Sequence, residues 1–353
     1  MAEVMERNKA AKRKKGSLLF LISVIVIIIC IFLVLFTGQK KHHTTDHILR
    51  VGIAVYNLDD AYIAEMTGKL EDHLMAYFKD RDVTLQYEIL DAENSESRQA
   101  KQLDYLIKQD MDILVLNLVN PSAGAQIMSR ANNCSTPVIL FNREPNREDL
   151  DIGEQIWYVG ADGKAAGSLQ GAMLTSAWEK DRAGIDRNYN GKIDYILVEG
   201  ESSHYDTIRR TNAFLESTQG MLPLKQLADF SADWNQSEAY QGLAAMDAAT
   251  VQSAEAVICN NDDMALGVYQ YYAGQGYPLP VILGINDKQD VHELVTQGKI
   301  YGTVNQNYEE QVSILTQIIG KICEKDPVEQ KIWYSTSEIY DGGKNTQAEN
   351  AEN

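Results

Sequence analysis

Polar residues follow directly on short apolar runs at five places in the 353-residue chain. Tyr56 leads to Asn57-Leu58-Asp59-Asp60, Phe141 to Asn142-Arg143-Glu144, and Val198 to Glu199-Gly200-Glu201 with His204 beyond. Cys259 leads to Asn260-Asn261-Asp262, and Ile285 to Asn286-Asp287. Carboxylates, amides and imidazole at such positions supply hydrogen-bond donors and acceptors for a polar ligand. Any one of them alone is also what a helix takes as its N-cap. Five together predict a polar cleft gathered from the ends of several strands.

A second group has the spacing of a cation loop. Asp186, Asn188 and Asn190 alternate and are followed by Gly191, Lys192 and Asp194. In an EF-hand loop, alternate oxygen ligands turn inward, the glycine makes the sharp turn and the next residue offers its backbone carbonyl. The twelfth position, which holds a bidentate glutamate in such loops, is Leu197. The loop alone therefore leaves two readings open. It is a plain Asn/Gly-rich turn, or a Ca²⁺ site completed by a carboxylate from elsewhere; a set without Cys or His suits Ca²⁺ better than Zn²⁺. Enzymatic signatures are missing. Gly200-Glu201-Ser202-Ser203 is not a nucleophile elbow, and there is no H-E-x-x-H, Walker A or G-x-G-x-x-G sequence. His204 and Asp206 have no identifiable nucleophile to activate, so no enzymatic activity is expected.

The elements that must position these residues are legible as alternation. Apolar runs at 50–56, 83–89, 112–118 and 137–141 alternate with helical patterns at 61–78, 94–109 and 121–132. The theme restarts with runs at 193–198, 226–230, 255–260 and 281–285. Helical patterns accompany them at 163–180, 206–219, 236–249, 263–275 and 287–297. Short strands separated by helices imply parallel sheets with right-handed crossovers, so the chain is read as α/β with two wound lobes. A last helix at 308–324 and a strand near 332–340 have no evident partner in the second lobe and are free to return to the first. In such sheets a ligand lies beyond the carboxyl ends of the strands, where the polar clusters fall.

Charge divides the chain further. The net charge is −18, which excludes a general nucleic-acid binder. Residues 1–16 carry six basic and two acidic side chains, a net of +4, which leaves −22 on the rest. Residues 17–36 are uncharged and apolar without Gly or Pro, long enough to span a bilayer core. With the basic cluster in front, the expectation is a single-pass cell-membrane protein with a cytoplasmic N-terminus and residues 37–353 outside. A cleaved signal peptide fits less well, because the run is long and lacks small residues at its end. Residues 37–48 read as a polar tether. Cys134, Cys259 and Cys323 are too scattered to require a disulfide.

Taken in order, the chain resembles the periplasmic galactose/glucose-binding proteins of the ABC-transporter type I substrate-binding family, over about residues 49–340. The resemblance rests on Asp59-Asp60-Ala61-Tyr62, Asn117-Leu118-Val119-Asn120-Pro121, Phe141-Asn142-Arg143-Glu144-Pro145 and Tyr158-Val159-Gly160-Ala161-Asp162. The Asp186 loop, the Gly200–Asp206 stretch and Asn260-Asn261-Asp262 complete it. It implies two lobes joined by a three-strand hinge, one of 49–160 plus 306–333 and one of 161–305 plus 334–341, with 342–353 a disordered tail. It implies a monosaccharide, galactose or glucose, stacked between Tyr62 and Trp234 and hydrogen-bonded by Asp60, Asn142, His204, Asp206, Arg210 and Asn261. Arg210 beside Asp206 is expected to hold that carboxylate ionised. Asn286 stands where the family has Asp, and Gln306 where it has Asn. Losing a charged acceptor there costs about 1.5–3 kcal/mol for one hydroxyl. Another monosaccharide or a glycoside is therefore open. The resemblance also gives Ca²⁺ to Asp186, Asn188, Asn190, the Lys192 carbonyl, Asp194 and a Glu255 carboxylate. The implied partner is an ABC permease or, for a membrane-anchored sensor, a membrane histidine kinase.

Overall fold

The computed structural model describes residues 47–202 and 204–344. The basic head, the apolar run 17–36, most of the tether and residues 345–353 lie outside the described residues. No helix among the described residues is long and apolar enough to cross a membrane.

Among the described residues, twelve strands form two six-stranded sheets. The first holds β1 (Ile48–Val55), β2 (Thr84–Asp91), β3 (Ile113–Leu116), β4 (Val138–Phe141), β5 (Ile156–Ala161) and β11 (Ile332–Ser335), in the order β11-β5-β4-β3-β1-β2. The second holds β6 (Ile193–Glu199), β7 (Leu224–Ser231), β8 (Ala256–Cys259), β9 (Val281–Ile285), β10 (Gly302–Asn305) and β12 (Glu338–Tyr340), in the order β12-β10-β9-β8-β6-β7. All pairings are parallel except β10 with β12.

Both faces of each sheet are covered, which is why the central strands are apolar throughout. In β6, Ile196 and Val198 face one core with Leu243 and Val268, while Tyr195 and Leu197 face the other with Leu174 and Phe214. This period of two places the Gly163–Lys180 and Tyr205–Thr218 helices on one side of the sheet. Gly167 lets these two helices approach, since a Cβ there would lie 2.1 Å from the Arg210 carbonyl oxygen. In the first lobe, Leu70 and Leu74 of the Ala61–Phe78 helix pack with Leu315, Ile318 and Ile319. The Tyr308–Glu324 helix thus returns to the first sheet after β10 of the second.

Several elements differ from the sequence reading. β5 and β10 were not among the expected runs. The run near 332–340 is two strands, β11 in the first sheet and β12 in the second. The 236–249 pattern divides into Gln236–Ala245 and Ala248–Ser253, because the Asp247 side chain caps a new helix by accepting from Thr250 N–H. The chain passes between sheets three times: after β5, after β10, and between β11 and β12.

Candidate functional site

The carboxyl ends of the strands from both lobes border one cleft of about 420 Å³, mouth included. All ten expected ligand residues line it: Asp60, Tyr62 and Asn142 from the first lobe, His204, Asp206, Arg210, Trp234, Asn261 and Asn286 from the second, and Gln306 just past β10. Tyr56 and Arg143 line it as well and were not singled out from the sequence. The signal for Arg143 was its place in the motif beside Asn142.

Helix caps and cleft residues coincide here. Asp60 Oδ1 accepts from Tyr62 N–H at 2.9 Å, and its other oxygen accepts from the Tyr56 hydroxyl. Asn261 Oδ1 accepts from Met264 N–H at 2.9 Å, while its amide donates to the Trp234 carbonyl at 3.1 Å. His204 Nδ1 accepts from Asp206 N–H at 3.1 Å. The cap thereby fixes each side chain's rotamer. Backbone at three cleft positions is left-handed: Asn142 (φ 60°), Trp234 (φ 65°) and Asn286 (φ 127°). A tryptophan there is strained, and strain of this kind collects at functional sites. Gly200 makes room for the indole, since a Cβ would lie 2.2 Å from Trp234 Cζ2.

Arg210 is the electrostatic centre. It donates to Asp206 Oδ2 at 3.0 Å, to the Asn260 carbonyl at 2.7 Å and to Gln306 Oε1 at 3.2 Å. Its neighbour Arg209 turns away, to Glu144 Oε2 at 2.7 Å. Burial pushes the Asp206 carboxyl upward, with Arg210, then Arg209 and Arg143 drawing it back. The expected Arg210 contact is present and draws the group downward, but burial outweighs it and the net direction is upward. Burial, then Arg143 and Arg210, hold His204 well below the usual imidazole range. The ring is therefore neutral, and with Nδ1 accepting, Nε2 carries the proton. Arg143 spans the lobes: its guanidinium lies 3.6 Å over the Tyr56 ring and donates to Glu201 Oε1 at 2.8 Å.

Four polar atoms of cleft residues are buried without a hydrogen-bond partner among the described residues: Trp234 Nε1, Arg210 Nε, Gln306 Nε2 and Asp206 Oδ1. Three donate and one accepts. Buried polar atoms are normally satisfied, so this concentration marks where a ligand's donors and acceptors belong.

The Asp186 loop closes on itself. Gly191 N–H donates to Asp186 Oδ2 at 3.0 Å, and the Asn188 and Asn190 amides donate to Asp194 Oδ2 at 3.0 and 3.2 Å. Glu255 reaches the loop as the resemblance implied, but its oxygens accept from Arg187 N–H (2.7 Å) and Asp194 N–H (3.0 Å). Lys225 Nζ lies 3.3 Å from Asp194 Oδ2. Among the described residues, no three or more His, Cys, Asp or Glu side chains gather closely enough to hold a metal ion. Asp186 Oδ1 and Asp194 Oδ1 are nevertheless buried and without partners there, a donor chemistry that fits a hard cation.

Comparison with known proteins gives a match to the periplasmic binding protein domain family over residues 51–326. The D-galactose/methyl-galactoside binding periplasmic protein MglB of Haemophilus influenzae is 29% identical over 289 residues, 80% of this chain and 85% of that protein. A xylitol-binding protein of Mycolicibacterium smegmatis is 28% identical over 259 residues, 73% of this chain and 67% of that protein. An ABC transporter periplasmic solute binding protein of Actinobacillus succinogenes, solved with bound D-allose, shares the fold. Its TM-score is 0.71 at 19% identity, covering 85% of this chain and 99% of that one. The expected placement as a single-pass cell-membrane protein is contradicted by the Haemophilus influenzae relative, which is a periplasmic protein.

The state of His204 gives a checkable pH dependence. The unfolded imidazole takes a proton near pH 6.5 and the folded one does not, so its contribution to stability is present above that pH and is lost as pH falls through it. Urea unfolding of wild type and His204→Gln at pH 8 and pH 5.5 should show wild type losing more, by about 1.4 kcal/mol per pH unit below 6.5. Parallel losses in both proteins would contradict a neutral His204.

Proposed function

The chain belongs to the periplasmic binding protein family, and from that premise we propose that it binds a monosaccharide, D-galactose or D-glucose, by closing two lobes, and delivers it to an ABC-type permease. It is a binding protein and not an enzyme, as are the relatives it matches. The observation that carries the ligand class is the set of orphaned donors and an orphaned acceptor in one cleft beside an indole. A sugar hydroxyl donates and accepts at once, so it answers both kinds of orphan. Two acids (Asp60, Asp206) and two cations (Arg143, Arg210) line the cleft beside a neutral His204, which supports an uncharged ligand.

The geometry supports the following division of roles. Tyr62 and Trp234, one from each lobe, offer apolar ring surface to the C–H patches of a pyranose. His204 presents Nε2–H, while Asn142, Asn261 and the Asp60 and Asp206 carboxylates divide the hydroxyls. Asn286 and Gln306 read the remaining edge with neutral amides. Because a bound ring touches both lobes at once, it stabilises the closed arrangement over the open one and shifts the population toward it.

Small-angle scattering of the full chain should show compaction on adding D-galactose or D-glucose. In Trp234→Ala and Asp60→Ala the compaction should vanish at the same ligand concentration. Equal compaction in wild type and both variants would move the site elsewhere. Membrane-solubilised complexes recovered with the protein should contain a permease; a histidine kinase in its place would reassign the partner.

We also propose that the Asp186 loop takes Ca²⁺, through Asp186, Asn188, Asn190, the Lys192 carbonyl, Asp194 and Glu255. Bound there, the cation would neutralise buried carboxylates and brace the β6–β8 end of the second lobe. Calcium at a hundredfold excess over its Kd should add about 2.7 kcal/mol of stability. A melting curve unchanged between calcium and chelator would make the loop an ordinary turn.

A further inference from the structure

Two adjacent residues of opposite charge, Arg143 and Glu144, stand in the segment after β4, and each is paired with its opposite on the other lobe. Arg143, 2% exposed, bonds Glu201 at 2.8 Å. Glu144, fully buried, bonds Arg209 at 2.7 Å. Arg209 belongs to the Tyr205–Thr218 helix of the second lobe and lies 4.3 Å over the Tyr205 ring. Tyr334 of β11 donates to Glu144 Oε1 at 2.9 Å and accepts from Arg209 at 3.4 Å, and Arg147 joins this network, 3.8 Å from Glu144 Oε1 and donating to the Tyr334 hydroxyl at 3.3 Å. Glu144, Arg209 and Tyr334 do not line the sugar cleft.

We propose that Glu144, Arg209 and Tyr334 form a closure latch, a set of positioning residues that holds the two lobes together in register independently of ligand. The physical reason is the alternation of charge. With Arg143 opposite Glu201 and Glu144 opposite Arg209, sliding one lobe along the other brings like charges together, so a single mutual alignment is favoured. A carboxylate with no exposure cannot be left alone. Once Arg209 leaves, Glu144 keeps only the Tyr334 hydroxyl and the more distant, largely exposed Arg147, so a buried carboxylate loses its one close cationic partner. The latch therefore sets the fraction of closed molecules. That fraction scales the affinity any ligand shows, because observed affinity is the intrinsic one reduced by the population able to bind. The inference goes beyond the sugar reading and does not depend on it.

Hydrogen–deuterium exchange on the full, ligand-free chain tests it. Segments 142–146 and 204–210 should be protected in wild type. In Glu144→Gln and Arg209→Met their exchange should rise about tenfold or more, as expected on loss of a pair with a desolvated member. Strands β4 and β8 should stay as slow as in wild type, which separates lobe opening from unfolding. Reversal of one charge, Glu144→Arg, should open the lobes, and adding Arg209→Glu should restore protection, a rescue that a merely structural role would not produce. If Glu144→Gln exchanges rapidly throughout, Arg209→Met, on a partly exposed side chain, carries the comparison. Ligand-free protection unchanged within about twofold in Arg209→Met, or a double reversal that stays open, would overturn the latch. No sugar is present in any arm, so failure of the ligand assignment leaves these outcomes intact.

Discussion

The buried pair of Arg210 and Asp206 is the constraint around which the cleft is arranged. Both side chains are about 6% exposed. Taking a guanidinium and a carboxylate out of water is costly, and their attraction offsets that cost only when the remaining hydrogen-bonding groups are met as well. Here one guanidinium reaches the carboxylate one turn before it, the Asn260 carbonyl at the end of β8, and the Gln306 amide past β10. Three separate segments are thereby referred to a single planar group. The close approach at Gly167 brings the second-lobe helices near enough to place it.

Around this centre, the residues that cap helices also line the cleft. Asp60, His204 and Asn261 satisfy the first amides of their helices and still border the cleft. The choice between helix cap and cleft residue, posed by the sequence, was thus no choice: one side chain caps its helix and lines the cleft. Capping fixes orientation before any ligand arrives, which lowers the entropy lost on binding. The left-handed backbone at Asn142, Trp234 and Asn286 fits the same picture, with strain held by the surrounding packing so that a side chain points where regular structure would not send it.

How much was legible depended on whether the information was local. The helices Ala61–Phe78, Gly163–Lys180 and Tyr308–Glu324 and the strand Val281–Ile285 coincide with their sequence patterns, because apolar periodicity and end signals lie within each segment. β10 escaped, since Gly302-Thr303-Val304-Asn305 has one large apolar residue and is a strand only through its neighbours β9 and β12. The division of the last run between two sheets is likewise a property of partners. Asp206 and Glu255 show a further limit. Their positions were readable, but the upward push on one carboxyl and the backbone amides bound by the other come from burial and from segments remote in the chain. Arg143 and its partner Glu201 were visible only as neighbours of more familiar residues.

The central claim is that a polyhydroxylated ring is read by groups organised about Arg210. The most direct measurement is calorimetric titration of the full chain with D-galactose and D-glucose, beside an Arg210→Lys variant whose fold is verified by its unfolding curve. Lysine keeps the charge but cannot reach carboxylate, carbonyl and amide together. The account predicts saturable binding of at least one of the two sugars to wild type and a loss of about a hundredfold or more in the variant. A folded Arg210→Lys protein binding either sugar within about threefold of wild type would contradict it.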